Sequence, residues 1–311
     1  MKNLILAISF GMLLFSCTES PKADVHNPIN DKFATETKAN TKSVEFGEQT
    51  SQWLNSGSSI ICKTENENAV YVCLDSKTLR KTSEFGKIGH GNKEWVAPSL
   101  ISAENGSVTI ADNGTRKIYD VKGGTIEEKQ KLAGKELLND AKAIVYPTIG
   151  YMSMSPKELC FKIADINNMQ TLDSIKFESK DGNSSLYEFT WAYGNNKLVL
   201  ASQHANQFVV CTLDEEHHIA GKAYFESNEG FDENKAYYTD VACGNSIYLL
   251  SQKKVNVEDG SGVSEIEVYD FEGKPQKKYV LDFIAFKMLI NGNKLLLTSI
   301  ADDNIHVLDL K

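Results

Sequence analysis

Residues 189–214 read FTWAYGNNKLVLASQHANQFVVCTLD, three apolar segments separated by a Gly-Asn-Asn turn and by a polar Ser-Gln-His stretch. Short runs of Val, Tyr, Phe, Trp and Leu between turn residues are typical of β-strands. The same order of strand, Gly-Asn turn, strand and third strand recurs at residues 238–270 and 286–310. A recurring unit of this kind indicates a repeat fold.

The number of units follows from the spacing of their turns. The turn glycines lie at positions 106, 194, 244 and 292. The interval from Gly106 to Gly194 has room for one more unit, whose turn we place at residues 155–157, and an earlier turn is placed at residues 66–68. Six units of about 40 to 50 residues have the size of four-stranded propeller blades.

The sequence therefore predicts an all-β fold, a six-bladed β-propeller over residues 53–311. A β-sandwich or a closed barrel would also contain apolar strands of period two, but neither predicts similarity at a constant spacing. The chain stops soon after the third strand of its last unit. We expect an N-terminal segment to complete that blade, because closure removes an open sheet edge.

The N-terminus carries an export signal. Lys2 is followed by an apolar run from Leu4 to Phe15, which fits the central region of a secretory signal peptide and is too short to span a bilayer. Residues 14–17, LFSC, resemble a bacterial lipobox. That resemblance implies cleavage before Cys17 and attachment of lipid to Cys17. The alternative is an ordinary signal peptide with a chance cysteine.

A polar segment of mixed charge follows, with Pro21 and Pro28 and few adjacent apolar residues. Such a composition predicts a flexible linker. The predicted organisation is thus a signal peptide (1–16), the lipidated Cys17 with a polar linker (17–52), and the propeller (53–311). The predicted location is the cell envelope, on the outer membrane by its lipid, with the periplasmic or the surface face left open.

Composition excludes several classes of protein. The 311 residues include 33 basic and 42 acidic side chains, a net charge of −9, with no dense run of Lys or Arg. Nucleic acid is therefore not expected as a partner, since phosphate binding needs clustered positive charge. A chain that is 41% hydrophobic is also not expected to be disordered as a whole.

One unit resembles a known repeat. Residues 85–98 read FGKIGHGNKEWVAP and are followed by Asn-Gly at 105–106, IAD at 110–112 and RKIYD at 116–120. This order resembles an NHL-type blade. Together with the lipobox, the chain resembles the TolB-like six-bladed propeller lipoproteins of Bacteroidetes. The resemblance implies the fold and an envelope location, and it does not imply an activity.

The cysteines leave a disulfide open. With Cys17 assigned to lipid, five remain, so at least one thiol is free. Cys62 and Cys73 flank the first hairpin turn and could form a bridge, or all five could be small buried residues in strands. No Cys and His spacing typical of zinc sites is present, and no metal or cofactor is expected.

The predicted ligand-binding face is built from loops that join neighbouring blades and from loops within blades. It is acidic and has one aromatic residue in reach, which suits a protein, peptide or glycan partner. Each of these residues could instead be a solvated loop residue. The candidates are His90, Glu94, Trp95, Arg116, His204, Asp232, Glu258 and Asp259.

The predicted function is a membrane-anchored, non-catalytic propeller that binds an envelope partner. No nucleophile, metal or phosphate-binding motif is recognised in the sequence, which favours binding. The alternative is a glycan hydrolase or lyase acting through acidic residues at the channel mouth. A sensor that signals to an envelope partner is a third interpretation. An enzyme would require a deep pocket with convergent titratable groups.

Overall fold

The computed structural model describes residues 24–310 except 92, 105, 134–136, 139, 156–157, 178–187, 233, 257–258 and 300. Within these residues every regular element is a β-strand, so no helix among them could cross a membrane. Three short strands come first, namely β1 (Val25–Pro28), β2 (Glu36–Lys38) and β3 (Thr41–Glu45).

The strands that follow form six separate sheets in chain order. Blade 1 contains β4 (Thr50–Ser56), β5 (Ser59–Thr64), β6 (Tyr71–Asp75) and β7 (Lys81–Phe85). Blade 2 contains β8 (Pro98–Glu104), β9 (Ser107–Asp112), β10 (Lys117–Lys122) and β11 (Thr125–Lys131). Blade 3 contains β12 (Lys142–Val145), β13 (Thr148–Ser155), β14 (Glu158–Asp165) and β15 (Gln170–Phe177). Blade 4 contains β16 (Phe189–Gly194), β17 (Lys197–Ser202), β18 (Ala205–Leu213) and β19 (Ile219–Phe231). Blade 5 contains β20 (Tyr238–Cys243), β21 (Ile247–Ser251), β22 (Glu265–Tyr269) and β23 (Pro275–Val280). Blade 6 contains β24 (Ala285–Asn291), β25 (Lys294–Ser299) and β26 (Asn304–Asp309). The prediction of an all-β, six-bladed propeller is confirmed.

The last blade is completed from the N-terminal side, as the sequence predicts. Strand β3 pairs antiparallel with β26, with Val44 opposite Ile305, and forms the outer strand of blade 6. Strands β1 and β2 run parallel to β19 and β23 and add a fifth strand to blades 4 and 5. One continuous segment therefore runs along the outside of three consecutive blades.

This segment differs from the flexible linker expected up to Gln52, because residues 25–45 contain three strands and Gln52 itself lies inside β4. The polar composition has a physical cause. Most side chains of these three strands are exposed, and the segment is held chiefly by backbone hydrogen bonds to sheet edges. Such an outer strand needs no apolar face.

Six apolar clusters hold the blades together, one at each interface between neighbouring blades. The middle strands are buried on both sides. In β17, Leu198 and Leu200 pack towards blade 3, whereas Val199 and Ala201 pack towards blade 5. These strands therefore read as continuous apolar runs and not with the period of two expected from the sequence.

The Asp that ends the third strand of several units has a local role. In blade 1 the Asp75 carboxylate accepts hydrogen bonds from the backbone N–H groups of Lys77 (3.2 Å) and Thr78 (2.8 Å). Equivalent bonds to the backbone N–H two residues further along are made by Asp165, Asp214 and Asp270. These Asx turns fix the connection from the third to the outer strand.

Two predicted turns were placed wrongly. The hairpin between the first and second strands of blade 1 turns at Gly57, and that of blade 3 at Tyr146-Pro147. Residues 66–68 instead connect β5 to β6, while Pro156 and Lys157 lie outside the described residues. The predicted number of blades was still correct, because residues 66–68 and 155–157 each follow the second strand of one blade.

The cysteines of the propeller are free thiols. The register places Cys62 opposite Val72 and Cys73 opposite Ile61. Residues directly opposite each other share one face of the sheet, so Cys62 and Cys73 point to opposite faces and form no bridge. Cys17 lies outside the described residues.

Candidate functional site

The candidate site is the central channel of the propeller, which contains a cavity of about 630 Å³. We call the end near Gln203 and Thr239 the upper end and the end near Tyr193, Cys243 and Ile290 the lower end. Each inner strand is paired on one side only, so its other edge faces the axis. Strands β4, β12, β16, β20 and β24 all contribute lining residues.

Irregular pairing near the upper ends of three inner strands sets the polar lining. The register shifts between Thr50 and Gln52 in β4, between Tyr238 and Asp240 in β20, and between Ala285 and Lys287 in β24. Such bulges re-aim the side chain that follows them. Gln52, Asp240 and Lys287 consequently occupy corresponding places in blades 1, 5 and 6, and all three line the cavity.

Gln52 connects the first three blades. Its amide oxygen accepts a hydrogen bond from the backbone N–H of Leu100 in blade 2 (2.9 Å). Its amide nitrogen donates to the carboxylate of Asp140, which lies in the loop that leads into blade 3 (3.2 Å). One side chain thus orients the carboxylate of Asp140 at the channel wall.

Asp240 connects the other three blades. Its carboxylate is 3% exposed and accepts hydrogen bonds from the Thr190 hydroxyl in blade 4 (3.3 Å) and the Met288 backbone N–H in blade 6 (2.7 Å). Both oxygens therefore have a donor. A buried carboxylate held in this way has a fixed position and both of its charged oxygens compensated by hydrogen bonds.

Asn side chains connect blades near the lower end. Asn55 donates to the Ile290 carbonyl between blades 1 and 6, and Asn195 donates to the Gly244 carbonyl between blades 4 and 5, both at 2.7 Å. The channel wall is therefore held by hydrogen bonds at both ends. A pre-formed wall of this kind lowers the entropic cost of binding a ligand.

Lys142 brings a positive charge to the wall of the channel. Its ammonium lies 5.5 Å from the centre of the Trp191 ring and 3.4 Å from the Trp191 carbonyl oxygen. Burial lowers the pKa of Lys142 below its ordinary value; nearby Asp240 partly offsets this, and Lys287 lowers the pKa further. Burial also lowers the pKa of Lys63 on β5, which Asp140 partly offsets.

Trp191 is fixed by its neighbours and not by a ligand. Its ring meets Phe161 edge to face, with ring centres 5.0 Å apart. Gly150 leaves the space for both rings, because a Cβ atom there would lie 2.5 Å from Phe161 and 2.9 Å from Trp191. The surface under the Lys142 ammonium is therefore rigid.

None of the predicted rim residues that the structure describes lines this cavity. Trp95 was expected to be the aromatic of the binding face, and this is corrected by the structure, which buries it completely (0% exposed). It packs edge to face on Tyr71 and Phe85, with ring centres 5.5 and 6.4 Å away, in the interface of blades 1 and 2. A large apolar ring gains more by filling this interface than by facing solvent.

His90 and Glu94 share the loop that contains Trp95. Glu94 accepts a hydrogen bond from the Gly91 backbone N–H (2.8 Å) and pairs with Lys87 (3.1 Å), and these contacts lower the pKa of its carboxyl. His90 is exposed. Arg116 has a positive φ of 60° and donates to the Ala133 carbonyl (3.3 Å). These contacts shape the loops locally.

His204 and Asp232 are brought together. The Asp232 backbone N–H donates to the His204 carbonyl (3.0 Å), and the His204 ring contacts the Lys235 carbonyl (3.3 Å). Asp259 is exposed and accepts a hydrogen bond from Ser261 N–H (2.9 Å), and its pKa is lowered by bonds from Ser261. Glu258 lies outside the described residues. The role of the rim in binding stays a prediction.

The residues of the channel wall were not among the site residues predicted from the sequence. In blades 4, 5 and 6 the second strand ends in Ser, and the units can be aligned on that residue. The same position of the inner strand is then occupied by Thr190, Asp240 and Lys287. A polar residue at this position of otherwise apolar strands is the pattern that could have identified the wall. Within the described residues, no group of three or more His, Cys, Asp or Glu could hold a metal ion.

No protein-family model matches this chain, and no curated protein sequence matches it. Solved structures do. A putative exported protein of Bacteroides fragilis has a TM-score of 0.57 at 10% identity, over 93% of this chain and 99% of that chain. A gluconolactonase of Xanthomonas campestris has a TM-score of 0.53 at 10% identity, over 87% and 90%. Hsv2 of Kluyveromyces lactis has a TM-score of 0.52 at 13% identity, over 83% and 73%. At these identities the similarity concerns the fold alone.

Proposed function

We propose that this protein is an envelope lipoprotein whose propeller binds a ligand in the upper part of the central channel without transforming it. The observation that carries the proposal is the cavity of about 630 Å³, which has the size of a small-molecule or oligosaccharide site. Its wall combines apolar surface with a few fixed polar groups. That combination is typical of ligand sites.

The state of the two carboxylates at the wall supports binding over glycan hydrolysis. A glycosidase needs one carboxylic acid that gives a proton and a second carboxylate that acts as base or nucleophile. Both oxygens of Asp240 already accept hydrogen bonds from Thr190 and Met288, so neither is placed to exchange a proton with a ligand. Asp140 is then left without a second carboxylate on this wall among the described residues.

The anchor and the location rest on the N-terminal sequence. The lipobox at residues 14–17 supports lipidation of Cys17, and the resemblance to TolB-like propeller lipoproteins of Bacteroidetes supports the outer membrane. Metabolic labelling with a palmitate analogue tests this. We expect the label and the membrane fraction to be lost in Cys17→Ala, whereas labelling that persists in this variant would contradict lipidation at Cys17.

The binding proposal is tested by native mass spectrometry of protein purified from its own cells. We expect a bound small molecule in the wild type and its loss in Ala192→Trp, which fills the channel. Asp259→Asn is the matched rim control and should retain the molecule. The ligand should also be recovered unchanged after prolonged incubation. A conversion product, or a molecule retained equally in Ala192→Trp, would overturn the proposal.

A further inference from the structure

Two ammonium groups at the channel wall form no ion pair with a described residue. Lys142 and Lys287 both line the cavity, and neither has a carboxylate oxygen within 4.0 Å among the described residues. Two other partly buried lysines of the propeller do form ion pairs. Lys253 contacts Glu267 at 2.9 Å, and Lys278 contacts Glu265 at 3.4 Å. An unpaired ammonium in a protein wall is costly to keep.

Each acidic residue of the wall, by contrast, already accepts at least one hydrogen bond. Asp240 accepts bonds from Thr190 and Met288, and Asp140 accepts a bond from Gln52. The formal charges of the wall balance, with two lysines and two aspartates. Among the described residues, the Lys142 ammonium has one hydrogen-bond acceptor, the Trp191 carbonyl, whereas the Lys287 ammonium has none and lies 5.3 Å from the centre of the Phe286 ring. Both ammonium groups therefore have N–H donors left for a ligand.

Lys142 and Lys287 line the same cavity, and their positive charges repel each other. The charge of Lys287 lowers the pKa of Lys142, whereas the charge of Asp240 raises it more strongly. An anion that reaches both ammonium groups would offset their repulsion and accept charge-assisted hydrogen bonds. The site would then gain most from a ligand that brings its own negative charge into the channel.

Part of the remaining wall is apolar. Leu137 is 55% exposed and lines the cavity, as do Met152 and Leu289. An inorganic anion would leave this surface in contact with water. A ligand with an apolar or ring-shaped body next to its anionic group would cover it, and burial of apolar area adds to the binding free energy.

We infer that the channel binds an organic carboxylate, with the carboxylate between Lys142 and Lys287 and its body on the Leu137 side of the wall. This inference rests on the proposed function, since it assigns a ligand class to the same channel. Two kinds of ligand have a carboxylate on a compact body, namely an apolar acid and an acidic sugar.

The experiment is isothermal titration calorimetry on the full-length chain in non-ionic detergent, with two matched pairs of probes. Naphthalene-1-acetate and naphthalene-1-acetamide form the first pair, and phenyl β-glucuronide and phenyl β-glucoside form the second. Within each pair a neutral polar group, a carboxamide or a hydroxymethyl group, replaces the carboxylate of the acid. We expect the acid of at least one pair to bind at least about tenfold more tightly than its neutral partner, as for a hydrogen bond to a charged group.

Three variants locate the effect. Lys142→Gln and Lys287→Gln should each weaken binding of the preferred acid about tenfold or more and leave the neutral partner unchanged. Lys122→Gln removes an exposed lysine at the end of β10 and should change neither. Circular dichroism of each variant confirms that it is folded. The pair that shows the charge preference identifies the source, apolar acid or acidic sugar.

The outcomes separate this inference from the proposed function. Equal binding of acid and amide, with loss of both in Ala192→Trp, would overturn the anion site and retain the channel as a binding site. A charge preference that survives both lysine substitutions would also overturn the inference. Failure of all four probes to bind the wild type would overturn it as well, while the mass spectrometry experiment would still decide the proposed function.

Discussion

Removal of the Asp240 carboxylate should destabilise the propeller strongly, because one side chain connects three blades. In Asp240→Ala, the Met288 backbone N–H and the Thr190 hydroxyl both lose their acceptor in a buried place. Each buried donor left without a partner costs about 1 to 3 kcal/mol. The free energy of unfolding should therefore fall by roughly 2 to 6 kcal/mol, the sum of two such losses.

Two further variants show whether the hydrogen bonds are the cause. Asp240→Asn keeps an acceptor for Met288 N–H and can donate to the Thr190 hydroxyl, so it should cost about half as much as Asp240→Ala or less. Thr190→Val should cost about 1 kcal/mol alone. It should cost almost nothing in the Asp240→Ala background, because its partner is already gone.

The assay is urea unfolding followed by tryptophan fluorescence, with the slope of the transition compared among variants. An unchanged slope shows that the variants differ in stability and not in compactness. The reasoning is refuted if Asp240→Ala costs less than about 1 kcal/mol. It is also refuted if Thr190→Val costs the same in both backgrounds.

Three other predictions concern the same region and the strands behind it. Lys142→Met should raise the free energy of unfolding at pH 7 by about 0.5 to 2 kcal/mol. Because the pKa of Lys142 in the folded state lies below the ordinary 10.5, the wild type becomes more stable as the pH rises to about 10.5, and the advantage of Met shrinks. Urea titrations from pH 7 to 10.5 would show this change. Gly150→Ala should cost about 1 to 3 kcal/mol and shift the Trp191 fluorescence, since the new methyl group would overlap Phe161; a silent substitution would contradict the close packing. Cys62 and Cys211 are buried thiols whose pKa is raised to about 12 by burial, so at pH 8 both should react slowly with iodoacetamide in the native protein and fast in urea; rapid native labelling would contradict their burial.

The sequence predicts the fold class and the number of blades because these depend on local features that recur. Gly-Asn turns between apolar strands are present in the last three units, and the Asp that ends the third strand forms an Asx turn in four blades. The turn of blade 3 was misplaced since Tyr146-Pro147 stands where other units have Gly-Asn. The N-terminal strands were missed because strands on outer edges bury few side chains.

The site could not be predicted in the same way. Whether Gln52 meets Asp140, 88 positions away, depends on closure of the ring, which no local pattern encodes. Trp95 illustrates the opposite error. It lies in a Gly-rich loop and so looked accessible, but its ring fills the interface of blades 1 and 2. Loop residues are exposed on average, and one apolar interface is enough to reverse that expectation for a single aromatic side chain.

The N-terminal strands also determine how far the propeller can stand from a membrane. With Cys17 lipidated as proposed, only residues 18–24 separate Cys17 from β1, so Cys17 lies at most roughly 26 to 29 Å from Val25. Val25 pairs with Ala223 near the start of β19, and the turn before β19 lies at the lower end of blade 4. The chain therefore enters blade 4 from the lower side. The lower end of the channel would then be the end closer to the bilayer. The upper end, with its two unpaired lysines, would face away from the membrane, towards ligands that arrive by diffusion.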